Sequence, residues 1–141
     1  ASALVTTVAE FQARGTARIN LDDRLPASLL TPNEEIHVLQ IIREALSNTV
    51  RHANACEVQV RLALDAGTVE VEVNDDGRGL VGGGERARHY GLAIMRERAL
   101  NLGGMLTVES PPEAGTRVRL IFRHRGASEQ DAPHRALAGA A

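Results

Sequence analysis

Apolar and polar positions alternate over residues 57–64, with Val58, Val60, Leu62 and Leu64 on one side and Glu57, Gln59 and Arg61 on the other. After the turn "DAG" the pattern resumes, with Val69, Val71 and Val73 set against Glu70, Glu72 and Asn74. A period of two on both sides of a turn predicts a β-hairpin. A second hairpin is expected from "MLTVES", the turn "PPEAG" and "TRVRLIF", with Val118, Leu120 and Phe122 pointing inward. Residues 16–21 predict a shorter strand, with Ala17, Ile19 and Leu21 on one face.

Helical spacing appears in three places. Residues 3–14 form a short helical stretch, and Leu92 to Leu102 carries Leu92, Met95, Ala99 and Leu102 on one stripe, stopped by Gly103-Gly104. The longest helix is announced by "TPNE" at 31–34: Thr31 can cap it, Pro32 suits the first helical position and Glu34 completes a capping box. It is expected to run to about Ala53.

The strands decide the architecture. Each has one apolar and one polar face, whereas strands covered on both faces read as continuous apolar runs. The expected fold is a two-layer α/β (α+β) sandwich, a mixed sheet of about five strands with three helices on one face. A length of 141 residues fits one domain. That domain is expected over residues 1–125, and residues 126–141, rich in Ala, Gly, Ser, Asp and Pro without a period, read as a disordered tail.

Composition narrows the chemistry. The net charge of −2 gives no basic footprint for nucleic acid, and Phe11, Phe122 and Tyr90 are too few aromatics for a base-stacking platform. All sixteen basic residues are arginine, which codon bias explains and which excludes any mechanism needing a lysine. The lone Cys56 forms no internal disulfide and reads as inert, in weak accord with a reducing compartment. No run of eighteen apolar residues and no signal peptide pattern is present, and a start at Ala-Ser reads as a piece of a longer protein.

Within the long helix, "REALSNTVRHA" at 43–53 is the informative stretch. At about 100° per residue, Glu44, Asn48, Arg51 and His52 share an arc roughly 100° wide. Val38, Leu39, Ile42, Leu46, Val50 and Ala53 centre on the opposite side. An ordinary solvated face carries long flexible Lys/Glu pairs. Here a short amide follows an acid by one turn, and two phosphate donors come after it. That set suits a metal-bound triphosphate: the Asn48 carbonyl can supply Mg²⁺ with one oxygen, Glu44 can hold a metal-bound water or accept a proton, and Arg51 and His52 can donate to phosphate.

Three weaker signals follow in order. "NDDGRGL" at 74–80 places Asp75 at a strand end, ahead of Gly77 and Gly79, where the backbone can approach a flat ligand. Alone it is an ordinary Asp/Gly turn. "HYGLAIM" at 89–95 puts Tyr90, Gly91 and Leu92 at an expected helix start, where free N–H groups favour an anion. "EAGTRV" offers Gly115 and Thr116 at a turn, which as a hairpin turn needs no further explanation.

Taken in this order and spacing, the chain resembles the catalytic ATP-binding domain of two-component sensor histidine kinases, with the Bergerat-type ATP-binding fold. "REALSNTVRHA" looks like that family's N box, "DDGRG" its first glycine box, "HYGLAIM" its second and "GT" at 115–116 its last. "MRERALNLGGMLTVESPPEAGTRV" is similar to kinases of the nitrate/nitrite-sensor type. The resemblance covers roughly residues 4 to 123.

It implies ATP and Mg²⁺ as cofactors, Asn48 as the Mg²⁺ ligand and Glu44 as the acid that orients or activates. It implies Arg51, His52 and Thr116 in nucleotide contact and Asp75 accepting from the adenine amino group. Gly77, Gly79, Tyr90, Gly91 and Leu92 would shape the pocket, with residues 80–90 as the ATP lid. The implied activity is transfer of the γ-phosphoryl of ATP to a histidine on a separate dimerisation and phosphoacceptor domain, which then feeds a response regulator. The implied location is the cytoplasmic end of a membrane-bound sensor, without direct membrane contact by this domain. None of His37, His52, His89, His124 or His134 has the family's phosphoacceptor context. The alternatives are an anti-sigma-type protein-serine kinase and a non-catalytic nucleotide-binding interaction module. A gyrase-, chaperone- or mismatch-repair-type ATPase needs a phosphate-contacting lysine that this chain lacks.

Overall fold

The computed structural model describes residues 2–14, 18–49, 57–76, 85–109 and 115–124. The elements are α1 (Ser2–Arg14), β1 (Arg18–Asp23), α2 (Pro32–Asn48), β2 (Glu57–Asp65), β3 (Thr68–Asp75), α3 (Glu85–Asn101), β4 (Met105–Glu109) and β5 (Thr116–Arg123). The expected tail at 126–141 lies outside the described residues.

Both hairpins form. β2 and β3 pair antiparallel from Val58↔Asp75 to Asp65↔Thr68, and β4 pairs antiparallel with β5. The strand order is β1-β2-β3-β5-β4, and β1 alone runs parallel to its neighbour, so the sheet is mixed and five-stranded. The apolar face of the sheet is buried: Val58, Val60, Leu62, Val69, Val71, Val73, Val118, Leu120 and Phe122 join one core with residues of all three helices. The other face is wetter and carries cross-strand charge pairs, such as Arg119 with Glu70 at 3.0 Å. Half-exposed pairs of this kind add little to stability. One covered face and one polar face make the two-layer sandwich that the alternation predicts.

α2 begins as its capping box dictates. The Glu34 amide donates to Thr31 Oγ1 at 3.1 Å, and the Thr31 amide donates to Glu34 Oε1 at 2.9 Å. Such an N-cap is worth about 1 kcal/mol. The same Glu34 carboxylate meets His124 Nδ1 at 2.9 Å with both side chains buried, which ties the start of α2 to the end of β5. α2 follows its expected course through the described residues. Its span closes at Asn48, Thr49 keeps helical angles (φ −61°, ψ −47°), and residues 50–53 lie outside the described residues.

α3 departs from expectation at its start. It starts at Glu85 rather than Leu92, so Gly91 lies within the helix instead of opening it. Residues 85–91 lack an apolar stripe, but Glu, Arg and Ala are good helix formers, and propensity extends the helix where pattern is silent. α3 ends at Gly103-Gly104, whose amides close on the Leu100 and Ala99 carbonyls at 2.9 Å each. It packs antiparallel to α2: Gly91 lies against Glu44 and Asn48, while Arg98 reaches His37 at 3.3 Å.

Candidate functional site

The C-terminal turns of α2, the end of β3 and Gly91 of α3 converge at one end of the sheet. Each side chain is placed by the local pattern that built its element. Glu44 and Asn48, one helical turn apart, are half-buried on the face of α2 that meets α3. A Cβ added at Gly91 would lie 3.2 Å from Glu44 Oε2 and 3.5 Å from both Asn48 Oδ1 and Nδ2. Any larger side chain at position 91 would occupy the space in front of both polar groups. The glycine therefore keeps that space open from within a helix, which replaces the helix-start role expected for it.

Asp75 ends β3, where the inward-pointing phase of the strand turns its carboxylate toward α2 rather than solvent. It is 9% exposed, and its two oxygens are held by different elements. Oδ1 accepts from the Thr116 amide at 3.2 Å, at the register position where Thr116 pairs with Asp75 across β3 and β5. Oδ2 accepts from the Thr49 hydroxyl at 3.0 Å. A buried carboxylate requires such partners. Thr49 links the two halves of the site, since it follows Asn48 in sequence and bonds Asp75.

Gly115 closes the arrangement. At φ +78° it runs so near β3 that a Cβ there would lie 1.9 Å from the Asp75 carbonyl oxygen and 3.0 Å from Asp75 Oδ1. This close approach lets the Thr116 amide reach the carboxylate.

Glu44, Asn48, Asp75, Gly91 and Thr116 are thus brought together. Leu92 is half-buried and packs on the hydrophobic core. Tyr90 lies in the backbone of α3, and its side chain is outside the described residues, as are Arg51, His52, Gly77 and Gly79. Of the expected lid, residues 85–90 belong to α3 and residues 80–84 are outside the described residues. Thr49 is a further residue of the site, to which the motifs of the sequence assign no role. The available signal is a hydroxyl residue that directly follows the metal-ligand candidate and falls on the apolar side of α2.

Among the described residues, no group of three or more His, Cys, Asp or Glu side chains gathers to hold a metal by itself. The donor set at α2 is one carboxamide oxygen beside one carboxylate. That fits a hard cation which takes few protein ligands, keeps waters and draws its other oxygens from phosphate. A separate apolar cleft lies at the other end of α2, lined by Leu25, Leu29, Leu30, Val38, Leu39 and Leu62. It includes none of the site residues.

Comparison with known proteins agrees with this geometry. Residues 33–126 match the family described as histidine kinase-, DNA gyrase B-, and HSP90-like ATPase. The chain is 43% identical over 123 residues to the nitrate/nitrite sensor protein NarQ of Escherichia coli, covering 86% of this chain and 22% of that protein. It is 39% identical over 120 residues to the E. coli nitrate/nitrite sensor protein NarX, covering 85% and 20%. It therefore spans about a fifth of the length of these relatives. Among solved structures, the ATP binding domain of PrrB from Mycobacterium tuberculosis superposes with a TM-score of 0.63 at 23% identity, covering 86% of this chain and 90% of that one. A blue-light activated histidine kinase from Erythrobacter litoralis superposes at 0.74 with 21% identity, covering 90% and 42%. Its matched segment, its fold and its ordered boxes place the chain in the family of histidine kinase-, DNA gyrase B-, and HSP90-like ATPases.

Proposed function

We propose that this chain binds Mg-ATP at the α2–β3–α3 end of the sheet and transfers the γ-phosphoryl group to a histidine on a separate dimerisation and phosphoacceptor domain of its parent protein. The observation that carries this reading is the convergence of Asp75, Glu44, Asn48 and Gly91, drawn from three elements. The names of the relatives, nitrate/nitrite sensors, support a sensor kinase over an anti-sigma-type kinase.

In this reading the Asp75 carboxylate accepts a hydrogen bond from the adenine amino group. Asn48 supplies one oxygen to Mg²⁺, which offsets phosphate charge when bound. Arg51 and His52 donate to phosphate oxygens, Thr116 contacts the nucleotide, and Gly77, Gly79, Tyr90 and Leu92 shape the pocket. Phosphoryl transfer is largely positioning and electrostatic stabilisation. A nitrogen of the acceptor imidazole forms the new P–N bond as the bond from the γ-phosphorus to the β–γ bridging oxygen breaks. ADP leaves with that electron pair, and the Glu44 carboxylate, held beside the Asn48 amide, can take the imidazole proton. The phosphohistidine then feeds a response regulator.

The nucleotide-binding domain is assigned to residues 1–125. No helix among the described residues is long and apolar enough to cross a membrane. Placement at the cytoplasmic end of a membrane-bound sensor belongs to the same proposal. Calorimetric titration with a non-hydrolysable ATP analogue, with and without Mg²⁺, tests it. Mg²⁺-dependent binding is expected, and absence of binding under both conditions overturns it.

A further inference from the structure

The Asp75 carboxylate is gripped from two sides, and one grip comes from outside the glycine boxes. Rotation of an Asp carboxylate about its last torsion is soft, so the residue alone does not define where its acceptor edges face. The Thr116 amide donates to Oδ1 at 3.2 Å, and a donor on one oxygen does not by itself set the plane of a carboxylate. The Thr49 hydroxyl fixes Oδ2 at 3.0 Å, and two donors on different oxygens set the plane.

Thr49 is suited to this task. It is buried at 4% exposure, and as a β-branched residue at helical backbone angles it has few rotamers. Its Oγ1 also lies 3.1 Å from the Ala45 carbonyl. A hydroxyl has one proton to donate, and a carboxylate is the stronger acceptor. With the proton turned to Asp75, the rotamer is held by the crowding of the β-branched side chain against the preceding helical turn.

We propose that Thr49 is a positioning residue that sets the purine preference of the site by locking the Asp75 carboxylate against the exocyclic group of the base. The inference rests on the reading of Asp75 as acceptor for the adenine amino group. A locked acceptor edge pairs with a 6-amino purine and repels a 6-oxo purine. A carboxylate whose Oδ2 has lost this donor can turn aside from the oxo group or admit a water between them, and discrimination narrows.

The test measures affinities of non-hydrolysable ATP and GTP analogues, with Mg²⁺, for the wild-type chain and for Thr49→Val, Thr49→Ala and Thr49→Ser. Valine keeps the shape and loses the donor, and serine keeps the donor. The wild type is expected to prefer ATP. Thr49→Val and Thr49→Ala should shrink the ATP-to-GTP preference about tenfold, while Thr49→Ser stays within about twofold of wild type. If valine packs badly at the site, the alanine–serine pair decides, since both fit a helical position. A parallel loss of affinity for both nucleotides, with an unchanged ratio, assigns Thr49 a purely structural role and overturns the proposal. A wild type that does not prefer ATP overturns the reading of Asp75 itself. A wild type that does, with variants that match it, overturns only the role of Thr49.

Discussion

Gly115 and Asp75 are in backbone contact so close that a methyl group on Gly115 would sit 1.9 Å from the Asp75 carbonyl oxygen. Neither partner can yield cheaply, because Asp75 is in β3 and pairs in register with Thr116 of β5. Gly115→Ala combines this clash with a left-handed φ of +78°. Strain and overpacking each cost on the order of 1–3 kcal/mol. Gly115→Ala is expected to lose at least about 2 kcal/mol of stability and to weaken nucleotide binding as the carboxylate moves. The urea midpoint and the analogue affinity, measured together, check both parts. A wild-type midpoint with wild-type affinity would refute the contact.

Asp75→Asn separates recognition from folding. The Asn side chain can still accept from the Thr116 amide through its oxygen. Its NH₂ can donate to Thr49 Oγ1, whose own proton then turns to the Ala45 carbonyl, 3.1 Å away. These two internal bonds survive, but the edge offered to the base changes from acceptor toward donor. ATP affinity should fall by at least about tenfold with the unfolding midpoint unchanged. Calorimetry showing undiminished ATP affinity would remove Asp75 from base recognition.

Much of this arrangement was legible in the sequence, and the limits have physical causes. The strands were readable because Val58–Leu64 and Val69–Val73 face a core on one side only, which forces alternation. The start of α2 was readable because Thr31 and Glu34 satisfy each other's backbone amides locally. The start of α3 was not, since residues 85–91 have no apolar stripe and Gly91 imitates a helix opening. Its actual setting, within α3 against Glu44 and Asn48, depends on how two helices cross. Ile41, 1% exposed, lies beyond the apolar stripe that the α2 sequence predicts. The Thr49–Asp75 bond spans 26 residues of chain and follows no period. Pairings of that kind come from the tertiary fold.

Asn48 and Glu44 should fail in different ways. Asn48→Ala deletes the neutral oxygen proposed for Mg²⁺ and should cost Mg²⁺-dependent affinity. Glu44→Gln keeps the shape and removes the charge and basicity, so nucleotide binding should persist while phosphoryl transfer falls by about 10²-fold or more. Binding isotherms with and without Mg²⁺, beside single-turnover labelling, resolve the two. Equal loss of binding in both variants would contradict the assigned roles.

The central claim is that this chain carries the nucleotide side of a phosphoryl transfer whose acceptor lies elsewhere. None of its five histidines has the expected acceptor context, and His124 is buried against Glu34. The decisive measurement incubates the purified chain with γ-labelled Mg-ATP, alone and with the helical hairpin of its parent protein added in trans. The account predicts little label on the chain itself and acid-labile label on a histidine of the hairpin. Strong acid-labile self-labelling of this chain, abolished by His52→Ala, would contradict it.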